Sequence, residues 1–175
     1  MHLSVFIIRK KYIMTLYRKF LQKGDSMLKQ VYEINDEILA LLLLADPSIE
    51  MINQYISESS IYILEQSKFT GVVVLKEVSE STMEIMNIAV SEAYQGKGYG
   101  KLMLKEAEKI AKHSGYNNLI IATANSSLNQ LALYQKCGFR LHEIKKDFFI
   151  NNYKEVIIEN GIKAMDKIIL SKLVC

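Results

Sequence analysis

Residues Tyr94-Gln95-Gly96-Lys97-Gly98-Tyr99-Gly100 lie between a strand-like run and a long helix-like run, with no room for any other element. Three glycines at such a junction demand a sharp turn and a close backbone approach, so the strand before it must feed directly into the helix after it. Upstream, residues 61–65 and 71–78 are rich in β-branched and aromatic side chains and read as a hairpin with a polar link at 66–70. Residues 83–90 extend that meander by a third strand. Downstream, Leu102, Met103, Ala107, Ile110 and Ala111 repeat at helical spacing, and Gly115 marks a left-handed cap. Residues 119–124 form a nearly all-apolar run suited to a strand buried on both faces. A helix at 128–137 ends at Gly138, and residues 140–150 and 164–173 read as strands around a turn at Glu159-Asn160-Gly161.

Ahead of the meander, residues 29–34 read as a strand. Asn35 caps an apolar helix through Leu44, and Asp46-Pro47 reads as a second helix start, a capping side chain followed by proline. The order β-α-α-β-β-β-α-β-α-β-β predicts an α/β fold: a mixed, mostly antiparallel central sheet with helices on both faces.

Charge separates the chain into two parts. The 175 residues carry a formal charge of +3, yet residues 1–26 alone hold six basic side chains against Asp25. Residues 27–175, expected to form a single domain, are therefore slightly acidic. This argues against a nucleic-acid partner, for which no basic and aromatic stripe is present. The longest apolar run in residues 1–26, residues 3–8, is too short to span a bilayer, and its basic cluster follows it, the reverse of a secretory signal. Two readings of this extension stand. Either translation begins at Met27 and residues 1–26 are a leader translated only conceptually, since Lys23-Gly24-Asp25 can be encoded by a purine-rich ribosome-binding sequence, or they are a basic amphipathic arm. The intact mass of protein made from the native gene separates them.

Cys137 and Cys175 form no CxxC pair, and His2, His113 and His142 are scattered, so no metal is expected and a cytoplasmic setting is the simple reading.

The glycine loop suits an anion, because backbone N–H groups at a helix start converge on one. Two familiar phosphate loops fail on spacing. For a P-loop, Ser91 stands where the first glycine should be and Gly98 follows Lys97; for a dinucleotide fingerprint the third glycine comes one residue early.

With Gln95, Gly98 and Gly100 at the right intervals, the loop resembles the motif of the GNAT superfamily of acyl-CoA-dependent N-acyltransferases: Arg or Gln, two residues, Gly, one residue, then Gly or Ala. Leu133-Tyr134-Gln135-Lys136-Cys137-Gly138-Phe139 is similar to that family's second signature, and the resemblance spans about 27–173. It implies acetyl-CoA as acyl donor. It implies that the loop from Gln95 through Gly96, Lys97, Gly98, Tyr99 and Gly100 to Lys101 holds the pyrophosphate, and that Ile88, Ala89 and Val90 run beside the pantetheine, with backbone groups of Ile88 and Val90 free for it. It further implies that Tyr134 protonates the departing thiolate. Many members carry Asn where Ser127 stands here; Asn125 and Asn129 are the candidates to compensate.

The implied reaction is direct attack by a neutral amine on the acetyl carbonyl, through a tetrahedral oxyanion. Glu84 is the candidate base, acting through water, since in a regular strand it shares a face with Met86, Ile88 and Val90. Cys137, beside the helix-ending Gly138 and without a matched His, is read as packing and not as a nucleophile. The expected acceptor is a small-molecule primary amine. Asp147, Glu155, Glu159, Asp166 and Tyr153 are candidate contacts for a cation, although Lys145, Lys146, Lys154 and Lys163 are interleaved with them. A protein acetyltransferase acting on N-termini or lysines and a non-catalytic acyl-CoA sensor are the alternatives. No integral membrane segment is expected, and the domain is compatible with a homodimer.

Overall fold

Val72, Val73, Val74 and Leu75 are all fully buried, which a strand achieves only when both faces of its sheet are covered. They belong to β3 (Phe69–Ser79), near the middle of a seven-stranded sheet that also contains β1 (Leu28–Val31), β2 (Ser60–Glu65), β4 (Thr82–Val90), β5 (Asn118–Ala124), β6 (Arg140–Lys145) and β9 (Lys167–Leu173). The strand order is β1-β2-β3-β4-β5-β9-β6, and every pairing is antiparallel except β4 with β5. The structure is a computed structural model that describes residues 26–65 and 69–174. The basic extension expected at residues 1–26, Ser26 excepted, and Gln66, Ser67 and Lys68 of the hairpin link lie outside the described residues.

Two apolar layers sandwich the sheet. On one face, α1 (Asp36–Ala45) and α2 (Ile49–Asn53) bring Ile38, Leu41, Leu42 and Ile52 onto Ile61, Ile63, Val72 and Val74. On the other, α3 (Tyr99–His113) and α4 (Leu128–Lys136) bring Met103, Leu104, Ala107, Ile110 and Tyr134 onto Tyr62, Leu64, Val73 and Leu75. Local signals set the helix ends. Asn35 Oδ1 accepts from Ile38 N–H at 2.9 Å. At the end of α3, Gly115 has φ +84°, and Tyr116 N–H donates to the Ala111 carbonyl at 3.0 Å, closing a Schellman turn.

Three expectations need correction. Asp46-Pro47 does not start a helix: Ser48 is the cap of α2, and Asp46 instead closes α1 while its side chain accepts from Ser48 N–H at 3.0 Å. Residues 140–150 are not one strand. β6 stops at Lys145, and Asp147, at φ +56°, turns the chain into the short helix α5 (Phe148–Asn152). The last strand begins at Lys167, three residues later than expected, because a separate hairpin precedes it. That hairpin joins β7 (Ile158–Glu159) to β8 (Ile162–Lys163) through Asn160 and Gly161 at φ +54° and +72°, as the Asn-Gly pair predicts.

The feature that builds the site is a bulge in β4. Asn87 pairs with Val74 and Ile85 with Leu75, so Met86 has no partner across the ladder. Pairing of β4 with β5 ends at the same level, at Ile85 and Ile121, although both strands continue. Beyond that point they part, leaving a gap in the middle of the sheet.

Candidate active site

The gap opens into a cavity of about 570 Å³. Its edges carry backbone groups that no neighbouring strand pairs. Ser91 N–H donates to the Thr70 carbonyl, and because bonded pairs alternate in an antiparallel ladder, Asn87 and Ala89 bond to β3 while the N–H and C=O of Ile88 and Val90 face the gap. On the far side, Asn125 N–H donates to the Asp166 carbonyl, so by the same alternation Ala122 and Ala124 turn theirs toward the gap, where the Ala124 carbonyl takes Ser127 N–H at 3.1 Å. Ile88, Ala89, Val90, Ala122 and Ala124 all line the cavity. An extended ligand with amide groups can thus be held between two strand edges.

At one end of the gap stands the glycine loop. Gln95 folds back, its Nε2 donating to the Val90 carbonyl at 2.9 Å, and Gly96 and Gly98 take φ of +71° and +87°. Gly98 is the N-cap of the 15-residue α3 and has no side chain to cap it. The first three helical N–H groups, those of Tyr99, Gly100 and Lys101, are thereby left for an anion. Gln95, Gly96, Gly98, Tyr99, Gly100 and Lys101 line the cavity. Lys97 does not, because its ammonium turns back onto the Ala93 carbonyl at 2.8 Å and the Tyr94 ring at 5.3 Å.

Tyr134 enters from α4 and lines the cavity while only 5% exposed. Burial, with a smaller contribution from the Glu159 carboxylate, pushes its hydroxyl well above the ordinary phenol range, so it is a protonated donor at neutral pH. Asn129 shares this wall. Asn125 does not: its Oδ1 accepts from Met165 and Asp166 N–H at 2.7 and 2.9 Å, and its Nδ2 donates to the Lys163 carbonyl, fastening the tail. Ser127 is held by the Glu159 carboxylate, and Asn160 Nδ2 reaches the Ser126 carbonyl, so the β7–β8 hairpin sits against the start of α4. Burial raises the Cys137 thiol, with nearby lysines opposing, which keeps it away from the reactive thiolate form.

Glu84 lines the cavity, but of the residues expected to share its face only Met86 does, and Ile88 and Val90 do not. Met83 and Ile85 point to the α3–α4 layer before the bulge, and Ile88 and Val90 do so after it. The extra residue Met86 reverses the alternation, which places Glu84 opposite Ile88 and Val90 and on the α1–α2 side. There it meets Lys167 at 3.6 Å, and the Lys167 ammonium also stands 5.1 Å over the Phe148 ring.

The end of the cavity away from the glycine loop is walled by α5 and the segment after it, through Phe148, Phe149, Tyr153, Ile157 and Glu159. Of the residues expected to meet a cation, Glu159 and Tyr153 are on this wall; Asp147, Glu155 and Asp166 are not, and Asp166 instead accepts from Asp147 N–H at 2.9 Å to start α5. Asp46, Tyr55, Asn87 and Lys167 are lining residues that the sequence pattern did not single out. Asn87 alone left a trace there, as a polar residue at a strand position that periodicity reserves for the core. Its Nδ2 donates to the Leu42 carbonyl at 3.0 Å and to the Tyr55 hydroxyl at 3.2 Å. Burial pushes the Tyr55 hydroxyl up to about 12.

Among the described residues, no group of three or more His, Cys, Asp or Glu could hold a metal ion, and no helix is long and apolar enough to cross a membrane.

Comparison with known proteins gives a consistent result. The profile of the acetyltransferase (GNAT) family matches residues 28–139. The chain is similar to the uncharacterized N-acetyltransferase YvbK of Bacillus subtilis, 45% identical over 137 residues, which is 78% of this chain and 88% of the relative. A GNAT family acetyltransferase from Elizabethkingia anophelis with acetyl-CoA bound has TM-score 0.80 and 42% identity, over 83% of this chain and 96% of that one. An IAA acetyltransferase from Bacillus cereus has TM-score 0.79 and 47% identity, over 83% and 97% of the two chains.

Proposed function

The chain belongs to the GNAT acetyltransferase family and is an N-acetyltransferase that uses acetyl-CoA; on that premise we propose that it transfers the acetyl group directly to the nitrogen of a small-molecule primary amine. The observation that supports the acceptor class is the wall of α5 and the residues after it, whose Phe148, Phe149, Tyr153 and Glu159 line one cavity together with the glycine loop.

The donor half follows from the backbone. The pyrophosphate is received by the N–H groups from Gly96 to Lys101, the pantetheine amides pair with the edge groups of Ile88 and Val90, and Asn129 adds a side-chain contact on the opposite wall. Amine attack on the thioester carbonyl gives a tetrahedral oxyanion. Its collapse breaks the carbon–sulfur bond, and Tyr134 supplies the proton to the leaving thiolate. The acceptor enters as an ammonium and must lose a proton first. Glu84, on the chamber floor beside Lys167, takes it through water.

A panel of small amines, amino acids, aminoglycosides, IAA and peptides with free N-termini or lysines, assayed for CoA thiol release, tests this reading. Turnover confined to small amines is expected, and faster turnover on peptides would replace it with a protein-acetylating role. Tight CoA binding with no thiol release on any acceptor would indicate a sensor.

The loop assignment carries its own prediction. A Cβ at Gly98 would meet nothing within 4 Å, so Gly98→Ala acts through backbone strain at φ +87° alone. That strain costs about 1 to 2 kcal/mol. Relief of it by movement of the loop should weaken CoA binding about tenfold in a calorimetric titration. An unchanged Kd would detach the loop from the pyrophosphate.

A further inference from the structure

We propose that Asp46, with Asn87 beside it, is the seat for an ammonium on the acceptor's tail, so that the preferred acceptors are diamines or other amines carrying a second positive charge. The inference rests on the amine-acetyltransferase reading above and names the acceptor of the same chamber.

Two independent features line the same cavity, joined through Tyr55, whose hydroxyl accepts from Asn87 Nδ2 and feels the Asp46 charge. The first is a carboxylate with no cation in direct contact, the Lys167 ammonium acting on it only through space. Asp46 lines the cavity, and its oxygens accept only from neutral donors, Ser48 N–H at 3.0 Å and the Tyr153 hydroxyl at 3.1 Å. No described Lys, Arg or His forms an ion pair with it, whereas Lys167 is within salt-bridge distance of Glu84. The second is an acceptor atom without a donor. Asn87 is 4% exposed and lines the cavity, its Nδ2 is committed to Leu42 and Tyr55, and its Oδ1 is buried with no hydrogen-bond partner. A buried amide oxygen left unpaired is destabilising, and a ligand N–H that reaches it on binding would remove that cost.

The surroundings favour a cation over other donors. The rings of Phe149 and Tyr153, tilted against each other with centroids 5.1 Å apart, line the chamber beside Asp46, which the Tyr153 hydroxyl contacts. Burial raises the Asp46 carboxyl above its ordinary value, against the opposing pull of its hydrogen bonds from Ser48 and Tyr153 and of the more distant Lys167 ammonium, and an incoming ammonium in direct contact would reverse that rise. The reacting nitrogen has to be neutral when it attacks, so the full charge of Asp46 is better placed for a nitrogen that keeps its proton. An acceptor ending in a carboxylate would instead meet like charge.

The test uses three amines with four carbons each that differ at the tail: putrescine, which carries a terminal ammonium, n-butylamine, which ends in a methyl, and γ-aminobutyrate, whose fourth carbon is a carboxylate. Each is titrated calorimetrically into CoA-saturated protein, and thiol release from acetyl-CoA is measured in parallel. The wild-type protein should bind putrescine about tenfold or more tighter than butylamine, and γ-aminobutyrate most weakly. Asp46→Asn keeps the shape and should remove the putrescine advantage while leaving butylamine unchanged. Asp46→Glu should restore part of it, with thermal melting confirming that each variant is folded. Equal affinities in the wild type would overturn the proposal. So would an Asp46→Asn variant that weakens all three equally, or one that lowers kcat for all three while shifting the acid limb of the pH profile, which would make Asp46 the base. If putrescine binds in the expected order but no thiol is released from acetyl-CoA, the transfer reading fails while the ammonium seat stands.

Discussion

Tyr134→Phe is expected to lower kcat by about a hundredfold or more, the usual contribution of a positioned general acid, while the Kd for CoA stays within about twofold because no charge-assisted contact is lost. The substitution removes a hydroxyl and keeps the ring, which packs at 6.4 Å from Phe139 in the α3–α4 layer. Fold and cavity shape should therefore survive. Burial holds this phenol protonated, so at neutral pH it can donate but cannot act as a base. A thiolate leaving without a proton would depart more slowly. The loss should be largest for poorly nucleophilic acceptors, whose tetrahedral intermediates revert most readily. A variant with wild-type turnover would remove Tyr134 from the chemistry and leave it as a core residue.

Gly71→Ala is expected to have the largest effect on stability. The new Cβ would lie 2.7 Å from the Ala89 carbonyl oxygen and 2.7 Å from Met103 Sδ. Met103 can rotate, but the Ala89 oxygen is fixed by the β3–β4 ladder. Overpacking of this kind costs roughly 2 to 3 kcal/mol, or about 5 to 10 °C of Tm for a domain of this size. Because Ala89 lies in the stretch of β4 that borders the gap, the same push should also weaken CoA binding. Gly100→Ala is the control for melting alone: its Cβ would come only to 3.4 Å from Leu133 Cδ2. A Gly71→Ala protein melting at the wild-type temperature would mean that the close approach of β3 and β4 is not maintained.

Elements set by short-range chemistry were legible in the sequence. The Asn35 cap, the Gly115 and Gly138 helix ends, the Asn160-Gly161 turn and the strand-to-helix glycine loop each depend on side chains within a few residues. The bulge at Met86 was not legible, for a specific reason. Met83, Ile85, Asn87 and Ala89 are buried in unbroken alternation, although the strand changes face between Ile85 and Asn87. With apolar layers on both sides of the sheet, a residue that switches faces still finds a core, so periodicity carries no record of the switch. The error in the face assigned to Glu84 follows from this. Asp46 was hidden differently. Its local role, closing α1 and holding Ser48, accounts for an Asp before Pro, while its place in the chamber depends on Tyr153, more than a hundred residues away. The strand expected through residues 146–150 failed because Asp147 adopts a left-handed turn stabilised by Asp166, again a distant partner.

The most direct test of the account is the product itself. Wild-type protein is incubated with acetyl-CoA and putrescine, free CoA thiol is counted, and the amine is identified by mass spectrometry. One mole of N-acetylated amine per mole of thiol, with the protein's own intact mass unchanged throughout, is the result expected for direct transfer. Thiol release without acetylated amine, or an acetyl group that accumulates on the protein and then passes to the amine, would contradict it.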